Sequence, residues 1–256
     1  MFKKFKLFFK TSILEISVII PTYNEEKYLP TLLKCISKQT LKPVEVIVSD
    51  NYSKDQTREI AKEFGAKVID GGIQSVGRNN GAKIAKGEIL IFIDADISFS
   101  DNFLKNCVKQ FTDSKIDLGV CKFSLKSENF SQLIHNMLTN ISMEFRKKTK
   151  NPLGNGGVII CKKKVFESVG GFDESLKISE DQKFFRLAVL KGYKFGIINL
   201  YFVHSPRRYK NNHFFNIFIS GALASIIIVL FTTRNKVIKN KLLKIIEKMY
   251  GEFGKW

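Results

Sequence analysis

Through the first hundred positions apolar residues come in short runs, each cut off by a polar, turn-forming cluster. Ile16-Ser-Val-Ile-Ile20 stops at Pro21-Thr-Tyr-Asn-Glu-Glu26, Val44-Glu-Val-Ile-Val48 at Ser49-Asp-Asn-Tyr-Ser53, and Ala66-Lys-Val-Ile69 just before Gly71-Gly72. Ile89-Leu-Ile-Phe-Ile93 ends abruptly in Asp94-Ala-Asp96. Short β-branched runs bounded by turn residues predict strands, and the last, apolar at every position, predicts a strand buried on both faces. Helical spacing fills the gaps. A helix over about Glu26 to Lys38 carries Leu29, Leu32, Leu33 and Ile36 on one face with Asn24 placed to cap it, a second runs from about Asp55 to Phe64, and a third bears Arg78. Strands alternating with helices predict a mostly parallel sheet with right-handed crossovers, flanked by helices. Ligands of such sheets bind beyond the carboxyl ends of the strands. Pro21 to Glu25, Asp50 and Asp94 to Asp96 all fall on that edge.

The second half is less regular. A strand near Leu118 to Leu125 leads to a helix whose apolar positions Phe130, Leu133, Ile134, Met137, Leu138, Ile141 and Phe145 keep helical spacing, which predicts core or the wall of an acceptor cleft. Gly154-Asn-Gly-Gly157 precedes a strand over Val158 to Cys161. Gly170-Gly-Phe-Asp-Glu174 precedes a helix that starts at Ser179-Glu180-Asp181 and reaches about Lys191. His204-Ser-Pro-Arg207-Arg208 is expected just after the last strand. Farther on, Phe214 to Phe231 is an apolar run at the lower limit for spanning a bilayer. Lys236 to Tyr250, with five lysines among Val237, Ile238, Leu242, Ile245, Ile246 and Met249, has the pattern of an amphipathic helix lying on a membrane surface.

Charge sharpens that reading. The 256 residues carry a formal net charge of +18, of which residues 1–12 hold +4 and residues 207–256 hold +8. Basic ends interleaved with Phe, Leu and Ile point to an anionic membrane surface; a nucleic-acid binder would stripe the folded body with charge, and no nucleic-acid partner is expected. Cys35, Cys107, Cys121 and Cys161 form no Cys-x-x-Cys pair and lie in apolar contexts, so they are expected to be reduced core thiols. The first ten residues have too short an apolar run for a signal peptide.

Asp94 and Asp96, flanking one alanine, suit either a shared divalent cation, a division of work between a metal and a sugar hydroxyl, or two solvated acids in a turn. The rest of the chain weights the choice. Ser17-Val-Ile-Ile-Pro-Thr-Tyr-Asn-Glu25, Val48-Ser-Asp-Asn-Tyr-Ser-Lys-Asp-Gln-Thr57, Gly77-Arg-Asn-Asn-Gly81 through Ala85-Lys-Gly87, and Asp94-Ala95-Asp96 occur in an order that resembles a family 2 glycosyltransferase of the GT-A fold, over roughly residues 15 to 206. The resemblance implies an inverting transfer from a nucleotide-sugar, a UDP-sugar first, with Mn2+ or Mg2+. It implies that Pro21, Tyr23 and Glu25 hold base and ribose, that Asp50 accepts a hydrogen bond from a base N–H, and that Arg78 lies near the nucleotide or diphosphate. It implies that Asp94, with Ala95, meets the ribose or metal, that Asp96 binds the metal with His204 as a third ligand, and that Asp181 is the general base. Arg207 and Arg208 suit either a grip on phosphate, of the donor or of a lipid, or plain surface charge. Tyr52 departs from the family, which usually has glycine there.

The expected organisation is a basic segment over residues 1–14, a glycosyltransferase domain over 15–209 and a hydrophobic helical appendage over 210–256. Such a chain would be membrane-associated, its catalytic domain on the cytoplasmic side, acting on a lipid-linked or cell-surface glycan acceptor. The oligomeric state is left open. The rival enzyme reading is a metal-dependent nucleotidyltransferase, which usually opens with a Gly-x-Gly-Thr-Arg loop where this chain has Pro-Thr-Tyr-Asn-Glu. A catalytically inactive scaffold or basic binding protein is the rival from outside enzymology.

Overall fold

The computed structural model describes residues 14–124, 126 and 130–205. In chain order the elements are β1 (Ile16–Thr22), α1 (Leu29–Ser37), β2 (Glu45–Asp50), α2 (Thr57–Glu63), β3 (Lys67–Asp70), α3 (Gln74–Ile84), β4 (Ile89–Ile93), β5 (Ile97–Ser98), α4 (Phe103–Asp113), β6 (Leu118–Phe123), α5 (Phe130–Arg146), β7 (Val158–Lys162), α6 (Lys163–Val169), α7 (Glu180–Leu190) and β8 (Phe195–His204). The sheet order is β3-β2-β1-β4-β7-β6-β8-β5. The first four strands pair in parallel. β7 then runs antiparallel to both β4 and β6, β8 runs parallel to β6, and β5 antiparallel to β8.

Burial follows the two-residue period of extended chain. In β4, Ile89, Ile91 and Ile93 join one core with the leucines of α1 and with Phe103, Leu104 and Phe111 of α4. Leu90 and Phe92 face the opposite core, made with Ala82 of α3, Val165 and Phe166 of α6, and Phe184 and Phe185 of α7. A sheet covered on both faces explains why β4, buried at every position, reads as an unbroken apolar run. Gly81 lets α3 lie directly on the sheet: a Cβ there would meet Ile19 Cγ2 at 2.4 Å. Cys107, Cys121 and Cys161 are buried free thiols, while Cys35 is only partly buried.

Several expectations change. α1 starts at Leu29 rather than near Glu26, after a turn in which Tyr28 and Leu29 N–H donate to the Glu25 carbonyl. Asn24 does not cap it. Asn24 has φ of +52°, its N–H donates to Ser53 Oγ, and its Oδ1 accepts from Lys54 N–H, tying the β1 and β2 loops together. α4, α6 and the two-residue β5 had no counterpart in the sequence reading. His204 closes the last strand rather than following it.

The largest change concerns α5, whose apolar stripe does not go to the core as one of the two expectations had it. The helix forms, but Phe130 is 74% exposed, Ile141 46% and Phe145 80%, while Gln132, Asn136 and Asn140 are buried. β6 explains the inversion. β7 pairs with it only from Leu118 to Val120, so the following backbone lacks a strand on that side. Asparagines take the place of the missing strand: Asn155 Nδ2 donates to the Cys121 carbonyl, Asn140 bonds both N–H and carbonyl of Phe123, and Asn136 Nδ2 donates to the Ser124 carbonyl.

Among the described residues no helix is long and apolar enough to cross a membrane. The basic N-terminal segment, the run Phe214 to Phe231 and the lysine-rich segment after it lie outside the described residues.

Candidate active site

The carboxyl ends of β1 and β4, with the loop that opens α3, enclose a pocket lined by Pro21, Thr22, Tyr23, Glu25, Asn51, Gly72, Ile73, Gln74, Asp94, Ala95 and Asp96. Five of the predicted nucleotide-binding residues are therefore brought together: Pro21, Tyr23, Glu25, Asp94 and Ala95. Asp96 joins them as a predicted metal ligand. Thr22, Asn51, Gly72, Ile73 and Gln74 were not anticipated. Gln74 is the informative one, since its Nε2 donates to Asp94 Oδ1 at 2.8 Å. The adjacent Gly71-Gly72 was the available signal, because a glycine pair opening a helix marks close backbone approach.

Asp50 sits behind the lining, fully buried. Thr22 and Ser53 hydroxyls donate to its Oδ1, and Ser53 N–H and Arg58 Nη1 to its Oδ2. Its carboxylate fixes the loop that carries Asn51 to the pocket wall.

Asp94, Asp96 and His204 offer one ligand atom each within 4.8 Å of one another. Their convergence has a local cause. β5 pairs with β8 in a register that sets Ile97 opposite His204, Ser205 N–H donates to the Asp96 carbonyl, and His204 Nδ1 lies 3.2 Å from Asp96 Oδ1. Gly157 makes room, since a Cβ there would come within 2.9 Å of His204 Nε2. Two carboxylates and an imidazole fit Mn2+, which accepts mixed oxygen and nitrogen donors, better than Mg2+, which favours oxygen and water.

Arg78 is placed beneath the pocket rather than in its wall. It is 1% exposed. Nη2 bonds Asp94 Oδ1 at 3.0 Å and the Gly156 carbonyl at 2.9 Å, and Nη1 bonds Glu180 Oε1 at 2.8 Å. The guanidinium carbon stands 5.3 Å from the Phe172 ring centroid. Burial pulls its pKa down, but the charges of Asp94, Glu180 and Asp181 more than reverse this and hold it above the ordinary arginine value.

Asp181 stands at the first turn of α7, where Gln182 N–H donates to its Oδ1. Burial pushes its pKa up, against the opposing charge of Arg78 and with help from Asp94. Glu180 is pushed up to about 7, first by burial and then by the charge of Asp181, with Arg78 opposing. A carboxylate raised toward neutral pH is suited to taking a proton from a hydroxyl. Arg78 thus joins two groups of acids, Asp94 of the pocket lining and the Glu180-Asp181 pair of α7. Arg207 and Arg208 lie outside the described residues.

Comparison with known proteins agrees with this geometry. Residues 17–170 match the family model "Glycosyl transferase family 2". A rhamnosyltransferase of the O-antigen chain, RfbN of Salmonella typhimurium, is 29% identical over 199 residues, covering 71% of this chain and 63% of that protein. The chain spans 28%, 22% and 63% of the length of the first curated relatives it matches. Among solved structures, S. aureus TarS 1–349 in complex with UDP-GlcNAc superposes with a TM-score of 0.59 at 22% identity, covering 94% of this chain and 74% of that one. The mannosyltransferase PcManGT of Pyrobaculum calidifontis, in complex with GDP-Man and Mn2+, gives 0.68 at 20% identity, covering 94% and 71%. Those likenesses establish the fold, the Rossmann-like α/β arrangement called GT-A.

Proposed function

The chain belongs to glycosyl transferase family 2, and from that premise we propose that it transfers a glycosyl group with inversion from a nucleoside diphosphate sugar, a UDP-sugar first, to a hydroxyl of a lipid-linked or cell-surface glycan. The observation that carries this reading is the convergence of the pocket's acids and the Glu180-Asp181 pair on one buried arginine. Asp94 lines the pocket with Asp96, clusters with Asp96 and His204, and bonds Arg78 Nη2, while Glu180 bonds Nη1 of the same guanidinium and Asp181 feels the charges of both Arg78 and Asp94.

The chemistry follows from those positions. Pro21, Tyr23 and Glu25 hold base and ribose, with the Tyr23 ring offering an aromatic face. Asp96, His204 and Asp94 are the residues that would hold Mn2+ or Mg2+; when bound, the cation neutralises charge on the departing diphosphate. Asp94 Oδ1 is already engaged by Gln74 and Arg78, which fixes the carboxylate's orientation toward that cluster. Asp181 takes the proton of the acceptor hydroxyl as its oxygen bonds the anomeric carbon, and the diphosphate leaves with the electron pair of the broken C–O bond. The rival nucleotidyltransferase reading gains nothing from the family match.

Isothermal titration with UDP and GDP, with and without Mn2+, tests the donor side. Asp96→Ala should lose the metal-dependent part of the affinity, and unchanged binding would sink the metal assignment. Asp181→Asn should keep donor binding while turnover falls by about 10²–10⁴. Equal loss of both would make Asp181 a structural residue. The basic and apolar segments in the sequence support membrane association, and the proposed catalytic domain lies on the cytoplasmic side. The full chain should then sediment with membranes after a high-salt wash, and release by salt alone would leave a peripheral enzyme.

A further inference from the structure

We propose that the outward face of α5 is a lipid-docking surface on the folded body itself, an in-plane contact with an anionic bilayer; this goes beyond the donor chemistry and does not depend on it. Phe130, Ile134, Met137, Ile141 and Phe145 recur at intervals of three or four residues, so they form one stripe along the helix. The side chains at both ends of the stripe, Phe130 and Phe145, are 74% and 80% exposed. A helix solvated on its outer side carries polar residues there. This one turns Gln132, Asn136, Asn140 and Met143 inward, where two of the amides complete the open edge of β6, and leaves Phe130, Met137, Leu138, Ile141 and Phe145 exposed. The combination of buried amides and exposed large apolar side chains points to an apolar medium on that side.

Charge selects the occupant. Beyond Phe145 the chain continues as Arg146-Lys-Lys-Thr-Lys150, with Lys148 and Lys150 exposed. The helix's one acid, Glu144, is neutralised by ion pairs with Lys122 and Lys147. An apolar stripe ending in lysines is the arrangement of a helix lying among headgroups, its rings in the acyl boundary and its cations at the phosphates. A second copy docked on the same face would offer these lysines no acid of α5 that is not already ion-paired. The contact would also lie near the site. Asn140 holds the Phe123 backbone, and the Phe123 ring is 5.4 Å from the ring of His204. An enzyme held by α5 would present that side of the site to the bilayer surface.

The test uses the full chain. Its single tryptophan is Trp256, so Phe145→Trp in a Trp256→Phe background gives one reporter on the stripe. Phe64→Trp in the same background is a control beside β3, at the opposite end of the sheet order. With vesicles of phosphatidylglycerol and phosphatidylcholine carrying brominated acyl chains, emission from position 145 should shift to the blue and lose intensity, and emission from position 64 should not. Phe130→Ser with Phe145→Ser should weaken partitioning into the same vesicles about tenfold. Lys148→Glu with Lys150→Glu should reduce the loss of intensity on these vesicles and not on pure phosphatidylcholine. Unquenched emission from position 145, with the protein bound or unbound, overturns the proposal. So does blue-shifted emission without vesicles: independent of concentration, it means that another segment of the chain covers α5, and rising with concentration, that a second copy does.

Discussion

α1 and α5 have the same kind of apolar spacing and opposite fates. In α1, Leu29, Leu32, Leu33 and Ile36 go inward, against β strands whose backbone is fully paired by parallel neighbours. In α5 the apolar stripe goes outward, because the strand beneath it has lost a neighbour and needs amides more than leucines. Periodicity identifies a face; what the adjoining element needs decides which way that face turns. The same contrast holds for the halves that these helices cover. From β1 to β4 the strands satisfy one another and present a pocket at their ends. From β6 to β8 the pairing is mixed, and side chains such as Asn155, Asn140 and Asn136 complete it.

The halves are joined at Arg78, and the largest effect should come from cutting that joint. Arg78→Met removes the cation that bonds Asp94 and Glu180, leaving both buried acids without that partner, and should cost about 3–5 kcal/mol in urea unfolding at pH 8. Arg78→Lys keeps the charge but not the fork that reaches both Asp94 and Glu180, so it should fall between the two. A near-neutral Arg78→Met would mean that the halves hold together without this cluster.

On the second-half side of the joint the expected signature is in pH. The folded pKa of Glu180, about 7, is above the ordinary 4.5, so the fold favours its protonated form. That contribution is fully present below about pH 4.5 and is lost as pH rises through 7. Measured by urea unfolding at pH 5 and pH 8, Glu180→Gln should remove up to about 3 kcal/mol of the wild-type decline. Parallel declines in the two proteins would put the proton elsewhere.

A smaller effect separates the two helices directly. Replacing a buried asparagine by leucine would be gentle if α5 behaved like α1. Here Asn140→Leu strips partners from both the N–H and the carbonyl of Phe123, and should cost about 1–3 kcal/mol. A gain in stability would show that water replaces the amide at that edge.

How much of this was legible follows the same division. An apolar run that stops at a polar cluster is a signal contained in a few adjacent residues, so the end of β4 at Asp94 and the acids at this edge could be read directly, whereas β1 runs through Pro21 to Thr22 in register with β2. Arg78 could be picked out but not placed, because its partner Glu180 is 102 positions away and only the fold makes them neighbours. Gln74 reaches Asp94 only once α3 is laid on the sheet. β5 is two residues long, too short to carry a period, yet its register with β8 brings His204 to Asp96. Asn140 carries no signal of its own, since nothing in the sequence announces where β7 stops pairing with β6.

The smallest expected effect is the sharpest test of the inverted helix. Ile141 is 46% exposed, and isoleucine and serine have similar helix propensities, so Ile141→Ser should change stability in aqueous solution by no more than about 0.5 kcal/mol. Leu32 of α1, at the same level of the pattern but fully buried, should lose about 2–5 kcal/mol on replacement by alanine. Urea midpoints of the two variants compared with the unaltered chain give the answer in one experiment. A cost of 2 kcal/mol or more for Ile141→Ser would place that side chain in a core, and α5 would then obey the same rule as α1. A neutral result leaves the apolar stripe unexplained by folding, which makes its persistence a matter of what the helix touches rather than of what it stabilises.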